Sequence, residues 1–502
     1  MNSYDYIVIG AGTAGCVIAA RLSEDDRVRV LLIEAGSRQP LEAMAVPPAW
    51  PTLMGTSASW GDSTVVQAAN GITLPLPRGR ALGGSSSINA MLFIRGHRSS
   101  YDAWVTAGAE RWGFEDLLPY LRRSERTDGH DPTLRGVEGP VTVHPATPRH
   151  PLMEAGLLAA EQAGYPAATD ISGGLEEGFG RPDMAIHNGR RVSSADAYLT
   201  PALGRPNLDV VTDAVAHRVR VVNGRCSGVE YSVDTQLFTA DAREEVVLTA
   251  GTVGSAQLLL QSGIGPKSHL NEVGVDVVLD LPGVGENLND HPVSTVTYSP
   301  AQPVPPTVHN HGGTLGLVRS DPASDVPDIQ IMFSLMPFYG PALPGPDQIY
   351  AIVFSAMLPR SRGTLRLASA KPGTAPRIDP NYYADSGDLD VMAAGLRIAR
   401  EIGQADAFAP WRGEEVLPGP DVRHADRVRT YLNKSLMTYF HPVGACRIGQ
   451  DDMAVVDSDL RVHGISGLRV ADASVMPSVV SANTQATVYG IAERASDLIR
   501  GR

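Results

Sequence analysis

Three glycines near the N-terminus have the spacing of a dinucleotide-binding turn. Residues Gly10-Ala11-Gly12-Thr13-Ala14-Gly15 fit the pattern GxGxxG. In this pattern the first glycine permits a tight turn, the second lets the backbone approach a pyrophosphate, and the third allows a helix to pack closely on a strand. Glu34 lies 19 residues after Gly15, where a carboxylate can bind ribose hydroxyls and repel a 2′-phosphate. The pattern predicts a dinucleotide site and leaves NAD and FAD both open.

The elements that must position this turn are indicated on both sides of it. Residues 4–9 form a short apolar run, residues 14–22 have a helical pattern, and residues 27–33 form a second apolar run that ends at Glu34. These patterns predict a strand, a helix and a second strand, which is the βαβ context that gives GxGxxG its meaning. The helix N-terminus would then offer free N–H groups and a positive dipole end to phosphates.

Later patterns predict further elements and a second domain. Residues 208–222 alternate like one strand before the hairpin signal Asn223-Gly224, and residues 244–249 form another apolar strand. Helical patterns cover residues 116–123, 153–163, 254–261, 389–402 and 487–499. From about residue 293 to 359, strand-like runs are separated by proline-rich loops, which indicates an antiparallel sheet. A chain of 502 residues is too long for one core, so we expect two domains.

Composition excludes several classes of protein. The net charge of −13 leaves no basic stripe for nucleic acid, and no stretch approaches the ~20 apolar residues of a membrane span. Cys16, Cys226 and Cys446 are too few and too far apart for a disulfide framework. No Cys/His cluster predicts a metal site. The first strand pattern leaves no room for a signal peptide, so we expect a cytoplasmic protein.

Two long segments carry a resemblance to a known family. Residues 79–102, GRALGGSSSINAMLFIRGHRSSYD, and residues 251–265, GTVGSAQLLLQSGIG, resemble the two signatures of the glucose–methanol–choline (GMC) oxidoreductases. Ala256 departs from the second signature, which usually has Pro or Ser there. Residues 438–449, TYFHPVGACRIG, and residues 467–487 resemble the family's active-site segment. The resemblance covers nearly the whole chain.

The resemblance implies an α/β protein with two domains. It predicts a Rossmann-type FAD-binding domain built from residues 1–150, 190–292 and 440–502. Residues 151–189 and 293–439 would form a substrate-binding domain with an antiparallel β-sheet flanked by helices.

The resemblance also implies that the dinucleotide is FAD, in an extended pose. In some relatives a histidine just before the asparagine of the first signature links the flavin covalently. Ile88 occupies that position here and has no nucleophile, so we expect non-covalent FAD. From the fingerprint and the resemblance together, the expected FAD contacts are Gly10, Gly12, Thr13, Ala14, Gly15, Glu34, Ala35, Arg80, Gly83, Gly84, Ser85, Asn89, Ala90, Met91, Leu92, Val215, Ala250, Asp472, Ala473, Asn483 and Thr484.

Alcohol oxidation by a flavin needs a base for the hydroxyl proton while hydride leaves the carbon. A neutral imidazole suits this task because its reference pKa of ~6.5 lies near the working pH. By the resemblance, His441 is that base and Asn483 is the second catalytic position. An asparagine cannot take up a proton, so Asn483 would hydrogen-bond the substrate oxygen. Three phenylalanines are expected to line the substrate pocket: Phe333, Phe338 and Phe440. His291, His309 and His311 are interpreted as structural.

These observations predict an FAD-dependent oxidoreductase that oxidises a primary alcohol to the aldehyde by hydride transfer to flavin N5. Its partners would be a small alcohol and either O2 or another electron acceptor. A hydroxynitrile-lyase-type enzyme, which keeps FAD on the same fold without reducing it, is the alternative. The sequence leaves the substrate, the electron acceptor and the oligomeric state open.

Overall fold

Two seven-stranded sheets organise the chain in the computed structural model, which describes residues 3–501. In chain order their strands are β1 (Ser3–Ile9), β2 (Val30–Ile33), β3 (Gly178–Gly180), β4 (Leu208–Val211), β5 (Ala214–Val222), β6 (Arg225–Val233), β7 (Gln236–Leu248), β8 (Pro292–Pro300), β9 (Leu315–Val318), β10 (Ile329–Ser334), β11 (Tyr350–Ala356), β12 (Arg412–Leu417), β13 (Met437–Thr438) and β14 (Leu468–Val470). Two-stranded pairs add Glu125–Arg126 with Val141–Thr142, His144–Pro145 with Asp183–Met184, Ile186–His187 with Arg190–Arg191, Ile264–Gly265 with Leu279–Asp280, and Thr364–Arg366 with Arg377–Asp379.

The helices pack around these sheets. They are α1 (Thr13–Leu22), α2 (Arg98–Thr106), α3 (Phe114–Ser124), α4 (Pro151–Gln162), α5 (Thr200–Ala202), α6 (Gly251–Gln261), α7 (Lys267–Val273), α8 (Ser386–Gly403), α9 (Ala425–Ser435) and α10 (Gln485–Ile499). Short 3₁₀ turns cover Glu42–Ala45, Pro47–Leu53, Gly84–Ser87, Asp406–Phe408 and Ala473–Val475, and a π-turn at Ala195–Leu199 precedes α5.

The first sheet contains the predicted βαβ unit. Its order is β4-β2-β1-β7-β6-β5, with β14 also paired to β7. The pairs β4–β2, β2–β1, β1–β7 and β7–β14 are parallel. The pairs β7–β6 and β6–β5 are antiparallel. All four residues of β2 are buried, as expected for a parallel strand covered on both faces. The carboxyl ends of the parallel strands therefore meet at the edge where the glycine turn begins.

The second sheet is wholly antiparallel. Its order is β12-β8-β11-β10-β9-β3, and β13 also pairs with β8. Helices α4 and α8 pack on one face through a core that includes Ile331, Ile352 and Phe354. The intervening residues of β10 and β11 lie on the opposite face, among them Met332 and Val353. The predicted class, a Rossmann-type domain with a second domain built on an antiparallel sheet, is confirmed.

Two sequence patterns differ from the structure in detail. Residues 208–222 form two strands, because Asp213 adopts a left-handed conformation with φ of 54°, which Asp tolerates better than most residues. The second strand of the βαβ unit begins at Val30 rather than at residue 27.

The proposed domain boundaries stay a prediction, although the strands of each sheet fall in the ranges assigned to one domain, apart from Pro292 at the start of β8. Within residues 3–501, no helix combines the length and apolar content needed to cross a membrane.

Candidate active site

A cavity of about 450 Å³ takes lining residues from both sheets. Its walls come from the glycine turn after β1, the 79–92 segment, the C-terminal segments around His441 and Asn483, and residues of strand β10 in the second sheet. The cavity therefore brings together segments that are hundreds of residues apart in the chain.

The glycines of the fingerprint are required by close backbone contacts. A Cβ on Gly15 would lie 1.8 Å from the carbonyl oxygen of Gly10, so only glycine lets α1 pack this closely on the turn. Gly10 itself has φ of 103°, and a Cβ there would lie 2.7 Å from Ala250 Cα. Gly12, Thr13 and Ala14 line the cavity at the start of α1. This wall fits a pyrophosphate, because the first N–H groups of a helix bind anions.

Glu34 is held in place by the backbone of both neighbouring loops. Its Oε2 accepts a hydrogen bond from Ala11 N (2.8 Å) and its Oε1 accepts one from Gly36 N (2.7 Å). Burial raises the pKa of this carboxyl to about 7. Each oxygen keeps a further lone pair, so the carboxyl can still bind ribose hydroxyls at the cavity wall that it shares with Val215.

Most of the residues predicted to contact FAD line this one cavity. They are Gly10, Gly12, Thr13, Ala14, Glu34, Ala35, Gly84, Ser85, Asn89, Ala90, Met91, Leu92, Val215, Ala250, Asp472, Ala473, Asn483 and Thr484. Three predicted contacts lie behind its wall instead. Gly15 faces the Gly10 carbonyl, a Cβ on Gly83 would meet Ser87 Oγ at 2.2 Å, and Arg80 donates from Nε to the Ala35 carbonyl oxygen at 3.3 Å. These three support the cavity rather than line it.

His441 lies at the cavity with only 9% of its surface exposed. Its backbone N–H donates to Asp290 Oδ1 (2.8 Å), which also accepts from the N–H of His291 (2.9 Å). The other oxygen of Asp290 accepts from Tyr382 Oη and Thr438 Oγ1, both at 2.5 Å. Burial raises the pKa of Asp290 to about 6. Four donors thus converge on one buried carboxyl that fixes the backbone on which the imidazole is mounted.

The hydrogen bonds behind His441 specify which ring nitrogen carries its proton. His291 Nε2 lies 3.1 Å from the carbonyl oxygen of Met357, which can only accept, so this nitrogen bears the hydrogen. The Nδ1 of a neutral His291 must then accept, and it lies 3.0 Å from His441 Nδ1. His441 therefore carries its hydrogen on Nδ1 and keeps a lone pair on Nε2. His291, interpreted from the sequence as structural, thus contacts His441 directly and sets its tautomer.

Electrostatics favour neutral imidazoles at this site. Burial, together with the neighbouring His291, lowers the pKa of His441 well below its usual 6.5. Burial also lowers the pKa of His291, to about 3. Both rings are consequently neutral at physiological pH, which is the form that can accept a proton.

Asn483 lies directly against the free nitrogen of His441. Its Nδ2 is 3.2 Å from His441 Nε2, and an amide nitrogen can only donate, so the lone pair of Nε2 faces it. The Asn483 Oδ1 is buried without a hydrogen-bond partner among the described residues. A hydroxyl group can both donate to a lone pair and accept from an amide N–H. The pair is therefore suited to hold an alcohol oxygen.

The structure places two of the three phenylalanines predicted for the substrate pocket at the cavity. Phe338 and Phe440 line the cavity, but Phe333 does not: its ring packs on Phe179 and Phe408 in the core under α4. Side chains alternate along a strand, so the neighbours Met332 and Ser334 face the cavity instead. Other wall residues that sequence patterns missed are Trp50, Met54 and Tyr439. His311 also lines the cavity, whereas His309 lies outside it and contacts the Pro148 carbonyl.

Comparison with known proteins accords with this geometry. The family models described as GMC oxidoreductase match residues 4–293 and 359–492. Human mitochondrial choline dehydrogenase is 38% identical over 539 residues, covering 100% of this chain and 90% of the relative. The oxygen-dependent choline dehydrogenase of Brucella canis is 38% identical over 530 residues, covering 99% of this chain and 96% of the relative.

A solved structure gives the same result for the fold. The crystal structure of pyridoxine 4-oxidase from Mesorbium loti superposes with a TM-score of 0.96 at 35% identity and covers 99% of both chains. Formate oxidase from Aspergillus oryzae, whose related structures are described by their FAD modification, is also similar, with a TM-score of 0.92 at 26% identity. The chain therefore belongs to the GMC oxidoreductase family and is an FAD-dependent alcohol oxidoreductase.

Proposed function

We propose that this enzyme oxidises a primary alcohol to the aldehyde, with His441 as the base. The observation that carries the proposal is the tautomer of His441: the hydrogen on Nδ1 is fixed by His291, and the lone pair on Nε2 faces the cavity beside Asn483. When bound, FAD supplies the hydride acceptor at flavin N5. Electrons then leave the enzyme to O2 or to another acceptor.

Each catalytic side chain has a distinct task in this proposal. The alcohol oxygen sits between His441 Nε2 and Asn483 Nδ2, donating its hydrogen to the first and accepting from the second. As the hydroxyl proton moves to Nε2, the amide N–H stabilises the negative charge that develops on oxygen. The resulting imidazolium keeps its Nδ1–H on His291. The apolar walls formed by Phe338 and Phe440 exclude water from the reacting carbon.

The names of the relatives support an alcohol substrate without fixing which one. They include choline dehydrogenases and a pyridoxine 4-oxidase. The three carboxyls that line the cavity are already engaged: Glu34 by two backbone N–H groups, Asp62 by Arg78, and Asp472 by Gly251 N and Ser255 Oγ. A cationic alcohol such as choline would therefore depend on aromatic rings of the wall rather than on a free carboxylate.

A single anaerobic experiment tests the class of reaction. Purified FAD-loaded enzyme is mixed without oxygen with a panel that includes choline, pyridoxine and benzylic alcohols, and the flavin absorbance is followed. We expect one alcohol class to bleach the flavin. Aldehyde release from a cyanohydrin, with no alcohol bleaching the flavin, would instead favour the lyase-type alternative.

The role of His441 is tested with the alcohol that bleaches the flavin. We expect His441→Ala to slow flavin reduction by roughly 10²–10⁴-fold, the usual contribution of a general base, while FAD stays bound. His463→Ala is the matched control, because His463 contacts the Gly449 carbonyl oxygen outside the cavity wall. Stopped-flow absorbance on protein of verified flavin content gives the rate. An unaltered rate in His441→Ala removes this residue from the mechanism.

A further inference from the structure

Arg191 carries a buried positive charge that has only neutral partners. Its surface is 5% exposed. Its Nε donates to the Met44 carbonyl oxygen (2.7 Å), and its Nη1 donates to the Ser86 carbonyl oxygen (3.1 Å) and to Asn89 Oδ1 (2.8 Å). Within residues 3–501, no carboxylate oxygen lies within 4.0 Å of this guanidinium, and its Nη2 has no hydrogen-bond partner.

Other deeply buried arginines have a compensating neighbour. Arg135 forms ion pairs with Glu125, Asp170 and Asp183, and Arg494, which is as buried as Arg191, lies over the ring of Trp112. Burial lowers the pKa of Arg191 to about 10, so the guanidinium stays protonated at neutral pH. An unpaired buried charge is costly to folding unless something else compensates it. The carboxylate of Asp196 acts on Arg191 without forming an ion pair, so the structure points to a further negative charge that arrives from outside the polypeptide.

A chain of hydrogen bonds connects Arg191 to the cavity. Asn89 Oδ1 accepts from both Arg191 Nη1 and Met91 N (2.9 Å), which fixes the orientation of this amide. Asn89 Nδ2 then donates to Gln485 Oε1 at 2.6 Å. Gln485 must in consequence turn its Nε2 away from Asn89. Gln485 lines the cavity, but its Nε2 is buried on the side of Tyr489 rather than open to the cavity.

The N-terminus of α10 adds positive potential at the same wall. Gln485 is the first residue of this 15-residue helix, and its N-cap Thr484, which also lines the cavity, makes no side-chain cap. The N-terminus of a helix carries a partial positive charge. Asn483, one half of the proposed alcohol site, lies two residues before Gln485. The positive potential is thus adjacent to the place where hydride would be transferred.

We propose that Arg191, acting through Asn89 and Gln485, stabilises the negative charge that the flavin ring gains on reduction. Oxidation of an alcohol R–CH2–OH to R–CHO releases one proton, taken by His441, and one hydride, taken by the flavin. The flavin ring therefore gains one negative charge that no proton neutralises in this step. The charge of Arg191, held against the cavity wall by Asn89, and the N-terminus of α10 both favour a negative ring electrostatically. Arg191 is a positioning residue that raises the reduction potential of bound FAD.

This inference rests on the proposed hydride transfer, but its test requires no substrate. The midpoint potential of bound FAD is measured by spectroelectrochemical titration. Sulfite affinity is measured by absorbance, because sulfite adds to flavin N5 and likewise makes the ring negative. We expect Arg191→Gln to weaken sulfite binding at least tenfold and to lower the midpoint potential by about 30 mV, the equivalent of tenfold for a two-electron couple.

Three further variants make the result specific. Gln485→Met keeps the arginine and removes the acceptor that holds the amide of Asn89, so it should lower the potential similarly even if Arg191→Gln does not fold. Arg191→Lys retains the charge and should recover most of the potential. Arg362→Gln is the matched control, because Arg362 also donates only to neutral groups, namely Asn287 Oδ1 and two carbonyls, away from the cavity. It should leave both readouts unchanged.

Two outcomes overturn the inference. One is an unchanged midpoint potential and sulfite affinity in flavin-loaded Arg191→Gln and Gln485→Met. The other is weaker FAD binding with an unchanged potential, which would mean that the charge serves the pyrophosphate or the fold. If no alcohol reduces the wild-type flavin while the potentials shift as expected, the proposed function fails and this inference stands.

Discussion

His441 acquires its chemical character from residues that do not touch the cavity. His291 lies behind it with 0% of its surface exposed, and the Met357 carbonyl on the far side of His291 fixes both tautomers. Without that carbonyl either ring could carry the shared hydrogen, and Nε2 of His441 would be a base for only part of the time. The functional unit is therefore a row of carbonyl, imidazole and imidazole rather than one histidine.

The lowered pKa of His441 predicts the pH dependence of flavin reduction. The base must be neutral, so the rate is constant at pH values above its pKa and falls as the pH drops through it. Because that pKa lies well below 6.5, we expect a constant rate near neutrality and a single decline in acid. Stopped-flow measurement of flavin reduction at several pH values tests this expectation.

Asn483 does not titrate, so Asn483→Ala should slow reduction about 10²-fold and keep the same pH profile. A flat profile in that variant would contradict the assignment of the ionisation to His441.

Ile88 predicts the form in which the cofactor is held. Its side chain lines the cavity at the position where covalent relatives have a histidine, and an aliphatic group forms no bond to a flavin. We expect acid or heat precipitation to release all of the FAD into the supernatant, where its absorbance is quantified against the total. Yellow colour that remains in the washed pellet would show a covalent link at another residue.

At the residue scale, sequence reasoning failed where the direction of a side chain mattered. Phe333 and Met332 are both apolar neighbours on β10, and nothing in their types says which one faces the cavity. The register of β10 between β9 and β11 decides this. The contact between His291 and His441 was missed for a related reason, because no local pattern brings together two residues 150 positions apart.

Among the elements, the two glycine-rich turns form one structure. A Cβ on Gly84 would lie 2.7 Å from Gly12 Cα, and Gly84 has φ of 54°. The 3₁₀ turn that begins at Gly84 is thus pressed against the start of α1, and the backbones of both turns reach the cofactor wall. The sequence predicted each turn separately, since each has its own motif. Their contact could not be predicted, because α1, β2 and a long stretch without regular strands or long helices lie between them.

This contact predicts a large effect of Gly84→Ala on cofactor binding. The added methyl group must displace the backbone of Gly12, which is the pyrophosphate wall of the cavity. We expect the fraction of protein purified with FAD to fall at least tenfold, as read from the ratio of flavin to protein absorbance. Gly204→Ala is the control, because a Cβ there meets no heavy atom within 4 Å. Equal flavin content in the two variants would contradict the proposed crowding.

On the scale of the whole molecule, FAD should hold the two sheets together. The cavity takes walls from both of them, so a bound cofactor stabilises the native state over the unfolded one. We expect FAD at a hundred times its Kd to add about 2.7 kcal/mol to the free energy of unfolding. Thermal unfolding followed by tryptophan fluorescence, at increasing FAD concentrations, measures the rise in Tm. NADP is the control ligand, since Glu34 should repel its 2′-phosphate. A similar rise with NADP would argue against the ribose role of Glu34.

The overall architecture was the most predictable feature, for two reasons. The βαβ unit has a local signature in residues 4–34, and the family segments resemble relatives along nearly the entire chain. The cytoplasmic location and the domain boundaries remain predictions. What lay beyond prediction was the convergence of distant segments, such as the contact between Asn89 and Gln485, which are separated by 396 positions.

The two ends of the chain close the FAD domain together, and this has a consequence for how the protein is made. Glu493 of α10 is fully buried and paired with Arg21 of α1, 472 positions earlier. Ile9 of β1 likewise pairs with Leu248 of β7. Contacts between such distant positions impose a high contact order, which slows folding. The glycine turn is synthesised long before α10, and its surroundings are complete only once α10 has followed. Until then the nascent chain exposes apolar strands, which are prone to aggregation.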